Sequence, residues 1–427
     1  MLIGNATLAD GTTADVRVDG DTIDAVGDLG GEYDLDATGK LLLPGAIDAH
    51  VHFRQPGFSH KETWATGSKS AAAGGVTTVV DQPNTDPPTV TGAAFDEKAR
   101  LATDSLVDWG INGGVTGSWD PDSLFDRPLF ALGEVFLADS TGDMGIEADL
   151  FADAVARAGA NDVTVTVHAE DADLFDEDAL AAAGDGIGRD ADADAWSAYR
   201  TAEAEAAAVE RACDVAVESD AAVHIAHTST PEGIDAAAEA GATCEVTPHH
   251  LFLSRADLPD LGTFGRMNPP LRSEERREAV FERVADGTVD IVATDHAPHT
   301  RAEKEASIRD APSGVPGVET MVPLLLAEVA AGRLDAERVR DLVATTPADV
   351  FDLPSKGQVA EGYDADLALY DVDAPREIRG EDLHSKCGWT PFEGRTGVFP
   401  ELTTVRGTVV WDAVEGFGEA VGENVRS

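Results

Sequence analysis

Two histidines separated by one residue follow an apolar run near the start of the chain. His50 and His52 come after residues 41–47, whose sequence LLLPGAI is typical of a buried strand. Alternate residues of a strand point to one face, so we expect the two imidazoles to emerge side by side where the strand ends. Such a pair supplies half of a metal site, and Arg54 just beyond it could hold an anionic substrate over the metal. Taken alone, the pair could equally be a packed core histidine and an unrelated surface one.

The elements that must position these side chains alternate regularly from about residue 47. Apolar β-rich runs alternate with stretches rich in Ala and Glu, and predicted helices include residues 63–73, 198–218, 231–240 and 274–284. The predicted strands are residues 46–52, 76–80, 107–113, 131–137, 163–168, 222–227, 242–247 and 290–295. Eight such units in series predict an α/β fold, a (β/α)8 barrel of the TIM type, with its catalytic groups at the C-terminal strand ends.

Short alternating segments flank this central region at both ends of the chain. Residues 1–6, 13–18 and 22–26 are separated by Gly and Asp turns, and β-rich runs return at residues 365–370 and 402–411. We therefore predict a small composite β-sandwich built from both terminal segments. The predicted division is 1–46 for the N-terminal part of the sandwich, 47–352 for the barrel and 353–427 for the C-terminal part.

The histidines are distributed as a barrel site requires. Of the 11 in the chain, nine lie at or just beyond predicted strand ends: His50, His52, His168, His224, His227, His249, His250, His296 and His299. Imidazoles with carboxylates suit zinc and related divalent ions, and four histidines with Asp295 exceed what one tetrahedral ion needs. Two ions follow if a bridging carboxylate exists. His224 and His227 point to opposite faces of one strand, so one of them at most is expected to be a ligand, and His227 is favoured because it lies nearer the strand end. His249 and His250 are candidates for supporting positions behind the ligands.

The acidic composition excludes several classes of partner. The chain carries 80 acidic and 31 basic residues, a net charge of −49, which disfavours both nucleic acid and anionic membranes. The acidic residues are spread along helices and loops, as on proteins from a high-salt cytoplasm. No apolar segment approaches the roughly 20 residues of a membrane span, and the N-terminus lacks the features of a signal peptide, so we expect a cytoplasmic protein. The three widely spaced cysteines argue against disulfides and thiolate metal sites.

Several motifs together resemble the dihydroorotase family of the amidohydrolase superfamily. They are HVHFR (50–54), QPNT (82–85), HAED (168–171), HTST (227–230), NPPLR (268–272), TDHAPH (294–299), GVPGVET (314–320), GYDADL (362–367) and WTPF (389–392). The similarity covers nearly the whole chain. HxHxR alone is shared with hydantoinases and allantoinases, whereas Asn268 before two prolines, combined with Pro316-Gly317, favours dihydroorotase.

The resemblance implies a role for each matched position. His50, His52 and Asp295 would bind the more buried metal, and His168 with His227 the more exposed one. Arg54, Asn84 and His299 would hold a substrate carboxylate, while Asn268 and the backbone near Pro316-Gly317 would meet the pyrimidine ring. Two divalent ions, zinc being the expected metal, would activate water for attack on the ring amide of dihydroorotate, with Asp295 as base and then acid. In reverse, carbamoyl aspartate would cyclise in the synthesis of pyrimidines and UMP.

The bridging carboxylate departs from the superfamily pattern. Many members use a carboxylated lysine on the fourth strand, where this chain has Glu134. A glutamate already carries the carboxylate that such a modification would create, although its stem is shorter. Asp139 is the competing bridge, and a single-metal enzyme is the third possibility.

Three functional interpretations stay open at this point. Dihydroorotase is the first, and an allantoinase or hydantoinase (dihydropyrimidinase) is the second. The third is an inactive amidohydrolase-like subunit that scaffolds a partner enzyme such as aspartate carbamoyltransferase, against which the complete ligand set argues. The expected partner is a small-molecule substrate, with neither nucleic acid nor a membrane, and the sequence leaves open whether the chain forms a homo-oligomer.

The net charge of −49 predicts that stability depends on salt. Lowering KCl from molar concentration to about 0.1 M lengthens the Debye screening distance from about 3 Å to about 10 Å, so repulsion between acidic groups should lower the melting temperature. Thermal unfolding followed by circular dichroism measures this. Sorbitol without salt is the control, because a neutral osmolyte provides no screening. An equal melting temperature in dilute and molar KCl would contradict the prediction.

Overall fold

The computed structural model describes residues 1–137 and 144–426, beginning with a group of short strands. These are β1 (Leu2–Thr7), β2 (Thr13–Asp19), β3 (Thr22–Gly27), β4 (Leu35–Asp36) and β5 (Leu41–Pro44). In β2 the buried Val16 and Val18 alternate with the exposed Arg17, which is the period-two pattern of a strand with one covered face. The predicted N-terminal strands are therefore confirmed.

Parallel strands form the centre of the molecule. They are β6 (Ala46–Val51), β7 (Val76–Asp81), β8 (Asp108–Ile111), β9 (Leu132–Phe136), β10 (Val165–His168), β11 (Val223–Ile225), β12 (Thr243–Val246) and β13 (Ile291–Val292). Within the described residues, they pair in the runs β6-β7-β8 and β9-β10-β11-β12-β13. Parallel bridges between Gly113 and Leu132 and between Val51 and His296 join the two runs at both edges. The predicted (β/α)8 barrel is confirmed.

The last barrel strands are shorter than predicted. Strand β11 ends two residues before His227, and β13 ends before Asp295. Both residues have positive φ angles, 35° for His227 and 46° for Asp295, so the backbone leaves the extended conformation just before these side chains. Periodicity does not reveal such a turn, because the apolar pattern continues through it.

Helices cover the outside of the barrel and the connections after it. They are α1 (Trp64–Ala73), α2 (Gly92–Ala102), α3 (Pro121–Phe125), α4 (Ala148–Ala160), α5 (Glu177–Ala181), α6 (Ala193–Tyr199), α7 (Ala202–Ser219), α8 (Pro231–Ala240), α9 (Pro248–Phe252), α10 (Leu258–Leu261), α11 (Glu274–Asp286), α12 (Arg301–Lys304), α13 (Met321–Ala330), α14 (Ala336–Arg340) and α15 (Thr346–Val350). The helix predicted at 198–218 is divided, because Thr201 caps α7 through its side chain and α6 ends before it. Among the described residues, no helix is both long enough and apolar enough to cross a membrane.

Strands from both chain ends join in one sheet. The C-terminal strands are β14 (Leu367–Tyr370), β15 (Arg376–Glu377), β16 (Thr396–Gly397), β17 (Pro400–Val405), β18 (Thr408–Asp412) and β19 (Gly416–Phe417). In the described part of the chain, a nine-stranded sheet runs β19-β18-β17-β14-β5-β1-β2-β3, with β4 paired to β1. Its apolar side chains, including Ile3, Ile23 and Leu367, form a core of their own. The composite β domain is confirmed, whereas the boundaries 1–46, 47–352 and 353–427 stay predictions.

A buried ion cluster connects this sheet to the barrel. Lys356 Nζ lies 2.8 Å from Asp108 Oδ2 in β8 and 2.6 Å from Asp366 Oδ2, which immediately precedes β14. Burial lowers the pKa of Lys356, but the charges of Asp366 and Asp108 outweigh burial and raise that pKa above its ordinary value. The ammonium, together with the Arg406 guanidinium that also binds Asp108, is therefore the counter-charge that lets two carboxylates be buried at the junction.

Replacing Lys356 should destabilise the fold strongly. Lys356→Met leaves buried carboxylates without their ammonium, and breaking a buried ion pair in this way costs about 3–5 kcal/mol. Urea unfolding at constant molar KCl measures the free energy of unfolding. Lys40→Met is the matched control, because it removes the partly exposed pair with Glu401, whose loss should cost about 1 kcal/mol or less. If Lys356→Met lowers the free energy of unfolding no more than Lys40→Met does, the junction cluster contributes little to stability.

Candidate active site

Five barrel strands bring histidines and carboxylates to one end of the barrel. All six predicted metal ligands are buried there: His50 and His52 in and after β6, Glu134 in β9, His168 in β10, His227 after β11 and Asp295 after β13. Arg54 has a φ of 66°, so it shares with His227 and Asp295 a left-handed backbone that side chains rarely adopt. Backbone strain of this kind concentrates at functional sites, where the surrounding structure holds it in place.

The first cluster contains His50, His52 and Asp295. His52 Nε2 lies 2.9 Å from Asp295 Oδ1, and His50 Nε2 lies 3.7 Å from the same oxygen. Each ring also bonds outward. His50 Nδ1 donates to Glu245 Oε1 at 2.6 Å, and His52 Nδ1 donates to Asn84 Oδ1 at 2.7 Å. These outward bonds fix the orientation of each imidazole.

The second cluster forms around Glu134. Its Oε1 lies 2.6 Å from His227 Nε2 and 2.9 Å from His168 Nδ1, while its Oε2 lies 3.4 Å from His50 Nε2. The two carboxylate oxygens therefore face different groups of imidazoles. His168 Nε2 donates to Glu170 Oε2 at 2.9 Å, and the Arg200 guanidinium also binds Glu170.

The chemistry of these donors fits divalent ions. Because Glu245, Asn84 and Glu170 accept the ring hydrogens on the outer side, neutral imidazoles of His50, His52 and His168 direct lone pairs towards carboxylate oxygens. Lone pairs facing carboxylates repel unless a cation lies between them. His50 Nε2 is also buried without a hydrogen-bond partner among the described residues. Within that part of the chain, two groups have ligand atoms within 4.8 Å of one another, namely His50, His52, Asp295 and His50, Glu134, His227.

The pKa values show the same concentration of negative charge. Burial lowers the pKa of His168, but hydrogen bonds and charges from Glu134 and Glu170 outweigh burial and raise that pKa to about 9. Burial raises the pKa of Asp295, but the bond to His52 and the neighbouring imidazoles lower it to about 2. The carboxylates are therefore ionised near neutral pH, which is the state that metal ligands require, and without a cation His168 holds a proton beside them instead.

Local packing places Glu134 at the centre. Its backbone N–H donates to Gln82 Oε1 at 2.9 Å, and Gly133 before it has a φ of 143°. A Cβ atom at Gly133 would lie 2.1 Å from Thr166 Oγ1, so only glycine allows β9 to approach β10 this closely. Asp139, the competing bridge, lies outside the described residues.

A cationic group borders the metal-ligand cluster. Arg54, Asn84 and Asn268 line one cleft with the histidines, and Arg54 Nη2 lies 3.1 Å from His299 Nε2. Burial lowers the pKa of Arg54 to about 10, so its guanidinium stays charged at neutral pH. Asn268 Oδ1 accepts hydrogen bonds from Trp196 Nε1 at 3.0 Å and Ser313 Oγ at 3.2 Å. Arg54, Asn84 and Asn268 therefore lie in one cleft with Asp295, and His299 contacts Arg54 without lining that cleft.

Pro316 and Gly317 are placed differently. In the described part of the chain, both line a separate small cavity with His296, and the Gly317 N–H donates to His296 Nδ1 at 3.1 Å. Ala297, Ser313 and Gly314 line the cleft instead. The predicted contact of Pro316-Gly317 with a substrate ring stays a prediction.

Sequence reasoning missed the supporting carboxylates. Glu245 bonds to both His50 and His224, and Glu170 bonds to His168. A signal for Glu245 was present, since a charged residue inside the apolar run 242–247 must find a buried partner. His224 bonds Thr243 and Glu245 and lies outside both metal-ligand groups.

The remaining strand-end histidines lie behind the cleft. His250 Nδ1 lies 2.9 Å from Thr247 Oγ1 and its Nε2 lies 3.0 Å from the Pro269 carbonyl oxygen. His249 is buried beside it, with the two ring centroids 4.4 Å apart. His250 therefore supports the loop that carries Asn268.

The chain belongs to the amidohydrolase family, whose model matches residues 41–410. It is 69% identical over 430 residues to a dihydroorotase of Halobacterium salinarum, an alignment that covers 100% of this chain and 99% of that protein. A dihydroorotase of Methanosarcina mazei is 45% identical over 392 residues, which cover 88% of this chain and 85% of that protein. The predicted family is confirmed.

Solved structures give the same architecture. The L-hydantoinase (dihydropyrimidinase) from Arthrobacter aurescens has a TM-score of 0.92 with this chain at 29% identity, with 99% of this chain and 98% of that chain covered. A dihydropyrimidinase from Brevibacillus agri has a TM-score of 0.88 at 27% identity, with 100% and 98% covered.

Proposed function

We propose that this chain is a dihydroorotase, which hydrolyses the ring amide of dihydroorotate to N-carbamoyl-aspartate and catalyses the reverse cyclisation. One observation carries the proposal: a buried guanidinium, that of Arg54, lies in the same cleft as the histidine and carboxylate cluster. A buried cation beside a hydrolytic centre favours a substrate that carries an anionic group. The names of the similar proteins from Halobacterium and Methanosarcina support the same substrate.

Two divalent ions, zinc being the expected metal, complete the proposed site. His50, His52 and Asp295 would hold one ion, His168 and His227 the other, and Glu134 would bridge them with its two oxygens. Ions bound in this way lower the pKa of water and polarise a carbonyl group. Glu245 and Glu170 would keep the imidazoles oriented towards the ions.

Asp295 is the proposed proton carrier. Its carboxylate has a pKa of about 2 and lines the cleft, so it is ionised and can accept a proton from the attacking water. It then returns that proton to the ring nitrogen as the C–N bond of the amide breaks. The water oxygen becomes part of the new carboxylate, which balances the hydrolysis.

The cationic side of the cleft would select and orient the substrate. Arg54, Asn84 and His299 would bind the substrate carboxylate, and Asn268 would contact the ring. Holding the ring at both ends places its amide carbonyl over the metal centre, and such positioning accounts for much of a rate enhancement. A cytoplasmic location is also expected, whereas the oligomeric state stays open.

A hydantoinase or dihydropyrimidinase is the second candidate, because solved structures with those names superpose closely. Their names describe ring substrates without a required carboxylate, for which a buried Arg54 has no evident use. The inactive scaffold is disfavoured because a scaffold has no need for six converging ligand side chains.

An assay with competing ring substrates tests the proposed function. Purified protein loaded with zinc in molar KCl should hydrolyse L-dihydroorotate, and should act much more weakly on dihydrouracil, hydantoin and allantoin. Arg54→Met should lower kcat/KM for dihydroorotate by on the order of 10²-fold, since a charged hydrogen bond of about 1.5–3 kcal/mol is lost. Turnover of hydantoin, allantoin or dihydrouracil without turnover of dihydroorotate would overturn the proposal.

Metal counting tests the bridge. Glu134→Gln should reduce the bound metal from two ions per chain to one or fewer, because a neutral amide bridges cations poorly. Elemental analysis of the folded protein measures this. Glu205→Gln is the matched control, since that buried glutamate binds Ser229, Thr230 and Arg272 instead. If Glu134→Gln still holds two ions tightly, Glu134 is excluded as the bridging carboxylate. If Asp139→Asn is the variant that loses an ion, Asp139 is the bridge.

A further inference from the structure

His299 has a contact at each ring nitrogen that restricts where its hydrogen lies. Lys61 Nζ lies 3.1 Å from Nδ1, and the Ser313 carbonyl oxygen lies 2.8 Å from Nε2. Arg54 Nη2 lies 3.1 Å from the same Nε2. His299 is buried, so these protein groups set the state of its ring.

The Nε2–H tautomer satisfies the first two contacts and gives the Arg54 Nη2–H no acceptor on the ring. An ammonium group only donates, so Nδ1 must accept from Lys61 and carries no hydrogen. A carbonyl oxygen only accepts, so Nε2 must carry the hydrogen and donate it to Ser313. An imidazolium would place a hydrogen on Nδ1 against the ammonium, and the Nδ1–H tautomer would place a lone pair on Nε2 against the carbonyl oxygen.

Lys61 is itself held in place by a helix N-terminus. Glu303 Oε1 lies 3.2 Å from Lys61 Nζ, and Glu303 Oε2 accepts from the Thr300 N–H at 2.9 Å and from Thr300 Oγ1 at 2.8 Å. Thr300 is the N-cap of α12, and Glu303 completes its capping box. The contacts therefore run from the cap of α12 through Glu303 and Lys61 to His299.

We propose that Lys61 is a positioning residue for the substrate carboxylate, which it serves by holding His299 as the neutral Nε2–H tautomer. Because Nε2 then carries a hydrogen, His299 cannot accept a hydrogen bond from Arg54, and the Arg54 N–H groups are left for the anion. This inference rests on the proposed function and extends it to a residue outside the cleft lining. In this arrangement Nδ1 accepts from Lys61 and Nε2 carries a hydrogen, so His299 does not act as a base and proton transfer is left to Asp295.

Charges around the ring agree with this role. Burial, followed by the charges of Arg54, Lys61 and Lys304, holds the pKa of His299 well below its ordinary value. The Glu303 carboxylate is paired with Lys61, and the cationic groups in contact with the His299 ring are Arg54 and Lys61. A neutral ring substrate would gain little from a charged guanidinium, whereas a carboxylate can accept from several of its N–H groups.

Nitrogen NMR reads the tautomer directly. The sample is protein labelled with ¹⁵N-histidine and loaded with zinc in molar KCl. The His299 signals are identified as those absent from the spectrum of His299→Asn. We expect an unprotonated Nδ1 and a protonated Nε2 in the wild type, and a mixture of tautomers or an imidazolium in Lys61→Met. An Nδ1–H tautomer or imidazolium in the wild type would overturn the inference, as would an unchanged tautomer in Lys61→Met.

Kinetics separate positioning from a purely structural role. Lys61→Met should raise KM for dihydroorotate on the order of tenfold while kcat changes much less, because substrate binding loses part of a charge-assisted hydrogen bond. Lys61→Arg should restore much of the affinity, since guanidinium also only donates. Lys40→Met is the control of equal charge, and its KM should match the wild type. A fall in kcat with unchanged KM in Lys61→Met would contradict the proposal.

The two experiments distinguish the possible failures. If the wild type does not hydrolyse dihydroorotate, the proposed function fails and the carboxylate role of Lys61 fails with it. The NMR result still decides whether Lys61 sets the His299 tautomer. If the wild type hydrolyses dihydroorotate but the tautomer or the KM is independent of Lys61, only the present inference is overturned.

Discussion

Uncompensated charge in a buried space is the constraint on which the centre of this molecule depends. Glu134 and Asp295 are buried at the end of the barrel, and imidazole nitrogens lie 2.6 Å and 2.9 Å from their oxygens. Such an arrangement is costly unless cations enter or outer groups compensate. Glu245 and Glu170 take the outward hydrogens of the imidazoles, and Arg200 neutralises Glu170. The barrel strands supply the rigid frame that holds these layers in register.

Negative and positive charges lie in different parts of this protein. The surface carries the acidic excess behind the net charge of −49, while Arg54 and Lys61 lie beside the cleft. At molar salt the screening length is about 3 Å, so the surface neither repels nor steers an anionic substrate over any distance. Selection of the substrate then falls to direct contacts inside the cleft, where burial limits screening.

Features that depend on local pattern were predictable, and features that depend on partners distant in sequence were not. The barrel strands and their terminal histidines follow from apolar runs and residue type, so His50, His168 and His227 can be placed together from the sequence alone. The role of Glu245 depends on β12 lying beside β11, with His224 opposite Thr243, and that pairing is absent from local sequence. Likewise, the contact of Gly317 with His296 was not foreseen, because backbone N–H groups carry no sequence signature.

Glu134 has one consequence for how the centre comes into being. A lysine in its place would acquire a carboxylate only by reacting with dissolved carbon dioxide, in a reversible step. Glu134 carries its carboxylate as soon as the chain is synthesised. The close approach of Gly133 to Thr166 fixes the position of Glu134 in the strand. With Glu134 as the bridge, maturation of this protein requires folding and a supply of metal, and is independent of the carbon dioxide concentration in the cell.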